Sequence, residues 1–243
     1  MDFPIRRRRG HVLSRFFRVY SHLAGHPLHA GVRFIDLQNS THPTTSLMHL
    51  SSFQHMGRLA TQYLDSASPL DIIDIGSYDV NGSYRPHFNH SGWRYRGVDL
   101  SAGPNVEVVL KSPYRLPFGD HSVDVVVSGQ AFEHIEFFWL TWLEIVRALK
   151  PGGVIFLIAP SRGPEHRYPV DCWRYYPDGY AALAKYGGLE LLEVNTDWLP
   201  SPDPDSAPWG DTVGVFRKPA ASAPLNLRRR LMHRLRRWLL SRY

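Results

Sequence analysis

Short runs of apolar, often β-branched residues recur along the middle of the chain and are separated by polar or glycine-rich stretches. Runs of this length and composition are typical of buried strands, and the intervening segments can hold helices, as in successive βαβ units. The pattern therefore predicts an α/β fold with a doubly wound, mostly parallel sheet. The predicted strands cover residues 70–75, 95–98, 106–110, 123–127, 154–159, 189–194 and 209–216.

Helical spacing of apolar residues appears in three places around these strands. It predicts a lead-in helix over 47–64, a helix over 137–149 and a third over 177–186. The second is expected to end at Lys150-Pro151-Gly152-Gly153, a basic residue followed by a helix breaker and glycines. The third has Pro177 in its first turn and two glycines beyond its end. Residues 199–208, rich in proline, are expected to form a surface excursion.

Charge divides the chain into a body and two basic ends. Residues 1–35 hold seven arginines and one acid, and residues 217–243 hold nine bases and no acid. The whole chain is +6, so residues 36–216 are −9. We therefore predict three parts, namely a basic arm over 1–46, a central domain over 47–219 that begins with the lead-in helix, and a basic tail over 220–243. Residues 225–243 can be drawn as an amphipathic helix able to lie on an anionic membrane.

The remaining composition limits the class of protein. A single cysteine, Cys172, forms no internal disulfide and no thiolate cluster. Arg15 and Arg18 interrupt the only apolar stretch near the N-terminus, so no export signal is expected. No window has the roughly 18 uncharged apolar residues of a spanning helix. We expect a cytoplasmic protein, peripheral at the inner face of the membrane if the basic ends bind there.

Two strand ends carry the first candidate site. The first strand runs into Gly76, and the second ends at Asp99. A glycine turn brings backbone N–H groups to a ligand at the carboxyl edge of the sheet, and an acid about 20 residues later accepts ribose hydroxyls. Either feature alone is weak, but together and in register with the strands they predict a nucleoside site.

Five segments in this order resemble the class I S-adenosylmethionine-dependent methyltransferases, in particular the small-molecule group called type 11. They are Ile73-Asp-Ile-Gly-Ser, Gly97-Val-Asp-Leu, the run from Leu116-Pro-Phe to Val126, Phe132-Glu-His and Leu149-Lys-Pro-Gly-Gly. The resemblance covers roughly residues 70–160. It implies a Rossmann-like, seven-stranded sheet with an antiparallel last strand and S-adenosylmethionine as cofactor. Transferred onto matching positions, it implies cofactor contacts from Asp74, Gly76, Ser77, Tyr78, Asp99, Leu100, Ser112 and Gln130.

Two of these positions depart from the family pattern. Tyr78 stands where the first motif usually has its second glycine, which reshapes the turn and would place a ring near the methionine moiety. Ser112 stands where many relatives have an aspartate for the adenine amino group. Adenine recognition is then expected to use a hydroxyl or backbone atoms.

The acceptor side is expected after the fourth and fifth strands. The loop 160–179 resembles a subset of type 11 enzymes of saccharide and natural-product pathways, which implies a sugar hydroxyl as acceptor. Such a hydroxyl needs a base within hydrogen-bond reach. The candidates are His166, which we favour, His134 and Asp171. His134 is also consistent with a structural hydrogen bond, and Asp171 with an ion pair to Arg174 or a helix cap.

Other readings remain open from the sequence. Two groups of histidines have spacings that suit a metal ion, the pair His87/His90 and the triplet His22/His26/His29. No carboxylates converge on either group, so we expect no metal ion. An RNA or ribosome methyltransferase anchored by basic ends is an alternative, although the acidic body argues against a polyanion at the active site. A non-enzymatic, membrane-associated scaffold is a third reading, against which intact Gly76 and Asp99 argue.

Overall fold

The computed structural model describes residues 49–80 and 82–220. Within them three helices, α1 Leu50–Tyr63, α2 Phe138–Ala148 and α3 Pro177–Gly187, accompany seven strands. The strands are β1 Leu70–Ile75, β2 Trp93–Asp99, β3 Val108–Val109, β4 Val123–Gly129, β5 Leu149–Pro160, β6 Glu190–Thr196 and β7 Asp211–Arg217. The predicted basic arm and tail lie outside the described residues.

The strands form one sheet in the order β3-β2-β1-β4-β5-β7-β6. β1 to β5 pair in parallel, and β7 runs antiparallel between β5 and β6. The predicted seven-stranded, mostly parallel sheet with an antiparallel last strand is confirmed. Because β7 is reversed, Asp211 at its start pairs with Pro160 at the end of β5. The segment before β7 therefore arrives at the carboxyl edge of the parallel strands.

The sheet separates two apolar cores, as the two-sided pattern requires. Along β5, Ile155 and Leu157 face one core, whereas Phe156 and Ile158 face the other. Successive residues of a strand point to opposite faces, so a strand buried on both sides reads as a continuous apolar run. α2 and α3 cover the first face, with Trp142 and Tyr180 fully buried. α1 covers the second through Met56, Leu59 and Ala60.

Two expectations about the elements need correction. Among the described residues, no α-helix joins β1 to β2, β2 to β3 or β3 to β4; a 3-10 turn, Arg85–Phe88, lies in the first connection. Gly82, Pro86 and Gly92 explain the absence of a longer helix there, because they are poor in helix interiors. The second correction concerns the start of the fifth strand, which was predicted at residue 154. The helix before it ends ahead of Lys150-Pro-Gly-Gly as predicted, since α2 ends at Ala148. β5 already begins at Leu149, and a register shift in its pairing with β4 accommodates these residues.

Candidate active site

A cavity of about 1070 Å³ opens at the carboxyl ends of β1, β2 and β4. This is the edge where open α/β sheets bind their ligands. It brings together seven of the eight predicted cofactor residues and two of the three predicted catalytic residues. These lining residues are Asp74, Gly76, Ser77, Tyr78, Asp99, Leu100, Gln130, His134 and His166.

Gly76 forms the turn that ends β1. Its φ of +79° lies in the left-handed region, and an added Cβ would come within 2.3 Å of the Ala131 Cβ. Only glycine fits both conditions without strain. The Gly76 N–H donates to the carbonyl of Val98 at 2.9 Å. The turn after β1 is thereby fixed to β2, with its backbone close to the cavity.

Asp99 ends β2 with its carboxylate held by backbone groups. Its two oxygens accept the N–H groups of Tyr78 at 3.2 Å and Ser101 at 3.0 Å. An ionised carboxylate has about four acceptor positions, so it can accept further donors from the cavity. The ring of Tyr78 packs against Gly103, where an added Cβ would lie 2.2 Å from it. The ring that replaces the motif's second glycine thus lies beside the loop that follows Asp99.

Asp74 is buried beneath this turn and accepts a short hydrogen bond from the hydroxyl of Tyr95. Burial raises the pKa of its carboxyl to about 7. The guanidinium of Arg85 lies 4.6 Å from the centre of the Tyr95 ring and donates to the Asn105 side chain at 2.6 Å. Asn105 in turn donates to the Ser77 carbonyl at 2.9 Å. A polar network therefore supports the turn from below.

Of the two remaining predicted cofactor residues, Gln130 lines the cavity and Ser112 does not. Gln130 follows β4 with a φ of +56°, and its side-chain amide donates to Asp211 at 2.7 Å while the residue lines the cavity. Ser112 is not among the lining residues. Its hydroxyl accepts the N–H of Tyr114 at 3.2 Å, a local turn contact that keeps it at the backbone. The expected contact from Ser112 to the adenine is therefore not supported by its position.

His134 lies after β4, and its ring is held by a contact with the loop that follows β5. Its Nδ1 lies 2.6 Å from the carbonyl of Val170. A carbonyl only accepts, so Nδ1 carries a proton and Nε2 of the neutral ring keeps a free lone pair. Burial lowers the pKa of His134, which favours this neutral form. The predicted structural hydrogen bond exists, and it leaves one ring nitrogen available.

His166 and Asp171 belong to the loop between β5 and α3. The carboxylate of Asp171 accepts the backbone N–H of His166 at 2.8 Å and both terminal nitrogens of Arg174 at 2.6 and 2.8 Å. These bonds hold the pKa of Asp171 well below its usual range. Asp171 does not line the cavity, whereas His166 does. The geometry corrects the catalytic expectation for Asp171, because its carboxylate holds the loop rather than facing a ligand.

Several lining residues were missed by sequence reasoning. The Trp209 ring lies 4.4 Å from the ring of His166 and 5.2 Å from that of His49, and the Tyr168 ring lies 5.8 Å from that of His134. These rings form an aromatic wall at the His166 end of the cavity. Part of the proline-rich segment expected as a surface excursion also lines the cavity, through Pro204, Asp205 and Pro208.

Glu133 lies within the Phe132-Glu-His motif, but the sequence assigned no role to it. Its side chain is fully buried, and neither carboxylate oxygen has a hydrogen-bond partner among the described residues. Burial raises the pKa of its carboxyl to about 8. One signal in the sequence could have pointed to Glu133, namely an acidic residue between Phe132 and His134. Nothing in the sequence indicates that both of its carboxylate oxygens lack hydrogen-bond partners.

The sheet order and the reversed β7 are those of the class I S-adenosylmethionine-dependent methyltransferases, a class whose cofactor is S-adenosylmethionine. Residues 73–157 match the family model described as "Methyltransferase domain". This match begins in β1 and ends in β5, so it contains Gly76, Asp99 and His134.

Relatives of known sequence are named as methyltransferases. An uncharacterised methyltransferase of Mycobacterium leprae is 28% identical over 159 residues, 59% of this chain and 58% of the relative. Another, of Mycobacterium avium, is 33% identical over 138 residues, 50% of this chain and 52% of the relative. The chain thus spans between about half and three fifths of these relatives' length.

Solved structures share the fold. A putative sarcosine dimethylglycine methyltransferase from Galdieria sulphuraria superposes with a TM-score of 0.54 over 84% of this chain and 98% of that one, at 18% identity. The Burkholderia thailandensis 1,6-didemethyltoxoflavin-N1-methyltransferase was solved with bound S-adenosylhomocysteine. It superposes with a TM-score of 0.55 over 70% of this chain and 79% of that one, at 17% identity. At these identities the likeness concerns the fold.

The residues at the β1–β2 end fit the cofactor of the class. Gly76 lets the turn after β1 adopt a left-handed conformation against Ala131 at the cavity wall, and Asp99 presents a carboxylate at the distance along the chain that ribose recognition requires. Gly76, Ser77, Tyr78, Asp99 and Leu100 would hold the nucleoside. This part of the chain is therefore equipped for S-adenosylmethionine.

Proposed function

We propose that the protein transfers the methyl group of S-adenosylmethionine to an oxygen of a saccharide or a glycosylated small molecule. One observation carries this proposal. One cavity is lined both by the glycine turn and Asp99 and by His134, His166 and the aromatic wall. Cofactor and acceptor would therefore meet in one space, as an in-line transfer requires.

The cofactor supplies a methyl group already activated on its sulfonium. The protein then has to position the donor and the acceptor. The backbone of the turn at Gly76 would lie against the nucleoside, and the Asp99 carboxylate would accept the ribose hydroxyls. The network of Asp74, Tyr95, Arg85 and Asn105 keeps that turn in place.

The acceptor end suits a ligand with both apolar and hydroxyl-bearing faces. The rings of Trp209 and Tyr168 offer apolar faces, and the imidazoles beside them offer hydrogen-bonding nitrogens. A pocket of this composition fits an amphipathic small molecule such as a sugar. The Burkholderia thailandensis enzyme is named for a small acceptor, 1,6-didemethyltoxoflavin, which supports a small molecule rather than a polymer here.

The hydroxyl proton has two candidate acceptors in the protein. Burial lowers the pKa of both His166 and His134, so both rings are neutral near pH 7 and each keeps a lone pair. His166 remains our first candidate for the base, because its loop overhangs the cavity and Asp171 fixes its backbone at 2.8 Å. Asp171 then acts as a positioning residue for the loop.

The distribution of charge supports a proposed place of action at a membrane surface. The net charge of −9 over residues 36–216 does not suit a polyanionic acceptor, whereas the basic ends suit an anionic membrane surface. We propose a cytoplasmic protein that works at the inner face of the membrane. None of the helices within 49–220 is long and apolar enough to span a bilayer.

The test is a transfer reaction followed by mass spectrometry. Purified full-length protein and S-adenosylmethionine are incubated with a panel of saccharides, glycosylated small molecules, amines and RNA. The expected product is a saccharide heavier by one CH₂ unit, with the new methyl on oxygen. Methylation of RNA or of an amine alone, with every saccharide unchanged, would contradict the proposed acceptor while retaining the methyltransferase activity.

A further inference from the structure

Three side chains with metal-ligating atoms converge at the wall of the cavity. Glu133, His134 and His166 each contribute one such atom, and these atoms all lie within 4.8 Å of one another. Nε2 of His134 lies 3.6 Å from Oε1 of Glu133. Both imidazoles line the cavity, and the carboxylate is fully buried behind them. We call these three residues the EHH cluster.

The carboxylate of Glu133 lacks the partner that a buried acid requires. Both of its oxygens are inaccessible and without a hydrogen bond among the described residues. The guanidinium of Arg174 forms its close ion pair with Asp171 instead. A buried charge is normally paired or coordinates a metal, and otherwise the group takes up a proton. The cluster therefore places a buried acid that has no hydrogen-bond partner among the described residues beside two imidazoles.

His134 is already oriented as a ligand. A metal-binding histidine usually donates its other ring N–H to a carbonyl or carboxylate, which fixes the tautomer and the ring plane. Nδ1 of His134 makes this contact with the Val170 carbonyl at 2.6 Å. Its Nε2 lone pair consequently points toward Glu133. Nδ1 of His166 is likewise buried without a hydrogen bond, and it lies 3.4 Å from Asp171.

We propose that the EHH cluster binds one divalent transition-metal ion. Two imidazoles and one carboxylate favour ions such as Zn²⁺, Mn²⁺ or Co²⁺ over Mg²⁺ and Ca²⁺, which prefer oxygen ligands. Three protein ligands leave coordination positions open toward the cavity. The assignment differs from the sequence expectation of a metal-free protein, which considered only histidine spacings and not Glu133.

The role of the ion rests on the proposed function. If the acceptor occupies the end lined by His134 and His166, its oxygens would fill the open positions, and the ion would set their orientation. A ring nitrogen that binds an ion accepts no proton, so the ligand role and the base role of these histidines are alternatives.

The test uses Co²⁺ alone, added to full-length protein freed of metals by chelation and dialysis. Visible absorption of bound Co²⁺ reports its ligands, and competition by Zn²⁺ measures the relative affinity. We expect one Co²⁺ to bind to the EHH cluster of each protein molecule. Glu133→Gln and His166→Gln should each weaken Co²⁺ binding by about 100-fold, at least the effect of losing an outer-shell partner. Glu136→Gln and His90→Gln, at exposed positions outside the cluster, should bind as the unaltered protein does.

S-adenosylhomocysteine binding, measured on the same samples, separates the two proposals. Failure of Co²⁺ to bind to protein that binds S-adenosylhomocysteine would overturn the metal site and leave the proposed function standing. Binding of Co²⁺ that both cluster variants leave unchanged would assign the ion to other histidines and also overturn it. Co²⁺ bound through the cluster, in a protein that binds no S-adenosylhomocysteine, would uphold the site and contradict the proposed function.

Discussion

At the end of β2, two backbone N–H groups fix the Asp99 carboxylate before any ligand arrives. Asp99→Ala should therefore lower S-adenosylhomocysteine affinity about 10- to 100-fold, which corresponds to about 1.5–3 kcal/mol for hydrogen bonds to a charged acceptor. Calorimetric titration measures this directly. Asp178→Ala, at an exposed position in the first turn of α3, is the control and should bind normally. Equal affinities for both variants would remove Asp99 from the cofactor site.

Asp74 predicts a pH dependence of stability. Its pKa rises from 3.8 to about 7 on folding because the carboxyl is buried, so the folded state holds the proton more tightly than the unfolded chain does. Its contribution to stability is therefore complete below about pH 4 and is lost as the pH rises toward 7. Asp74→Asn removes this titration, so its stability relative to the unaltered protein should increase by up to about 1.4 kcal/mol per pH unit within that window.

Urea unfolding of both proteins at pH 5, 6 and 7 tests this expectation. The substitution can also change stability by an amount that does not depend on pH, for example through a weaker bond to Tyr95. Such a change is equal at all three pH values, so the test is how the difference in unfolding free energy between the two proteins varies with pH. Parallel pH profiles for the two proteins would show that Asp74 does not titrate in this range.

Which site residues were predictable depends on how local their signal is. Gly76 and Asp99 were identified because a turn glycine and an acid at a strand end follow from neighbouring residues alone. Asn105, His49 and Trp209 carry no such signal, since each reaches the site through contacts with distant parts of the chain. Ser112 was misplaced for the complementary reason, because a hydroxyl can bind its own backbone as readily as a ligand.

The loop between β5 and α3 contains a largely buried ion pair between Arg174 and Asp171. Arg174 donates to both oxygens of Asp171 and to the Pro164 carbonyl at 2.9 Å, and the Asp171 side chain is only 3% exposed. Arg174→Gln leaves this carboxylate without its cation and should free the loop that carries His166. We expect turnover to fall by about tenfold or more, since misplacement of a catalytic group is costly.

Cofactor affinity should stay within about twofold in Arg174→Gln, because neither Arg174 nor Asp171 lines the cavity that contains Gly76 and Asp99. Limited proteolysis should cut the variant within residues 161–175 faster than the unaltered protein. Arg94→Gln is the control, since Arg94 pairs with Asp71 at an exposed position outside the cavity lining. A larger loss of cofactor affinity than of turnover would indicate that the ion pair supports the whole domain.

At the level of elements, all seven strands and the three helices within 49–220 were predicted, with differences at their ends. β3 is shorter than predicted because only Val108 and Val109 pair with β2. β5 is longer, since Lys150 pairs with Asp124 of β4 at 2.8 Å and Gly152 bonds to Lys218 at 2.8 Å. The pattern of apolar residues predicts where a strand lies. The residue at which the strand begins or ends depends on hydrogen bonds and ion pairs with other parts of the chain, which the pattern does not show.

For the molecule as a whole, the basic ends carry a separate expectation. Residues 225–243 hold seven arginines, and each base near an anionic leaflet contributes about 1 kcal/mol, so attachment should weaken with salt. Full-length protein should co-sediment with anionic but not with neutral vesicles. A variant ending at Pro219 should lose most of that binding and still methylate a soluble acceptor. If both proteins stay in the supernatant, the membrane proposal is wrong.

The reversed direction of β7 has a practical consequence for altering specificity. The segment before β7 reaches the acceptor end of the cavity through Pro204, Asp205 and Pro208, although the cofactor end is built from residues after β1 and β2. This segment therefore lies more than 100 positions along the chain from Gly76 and Asp99. A library randomised over residues 201–208 would diversify acceptors against a constant cofactor site, and variants could be selected for new substrates without rebuilding the donor half of the enzyme.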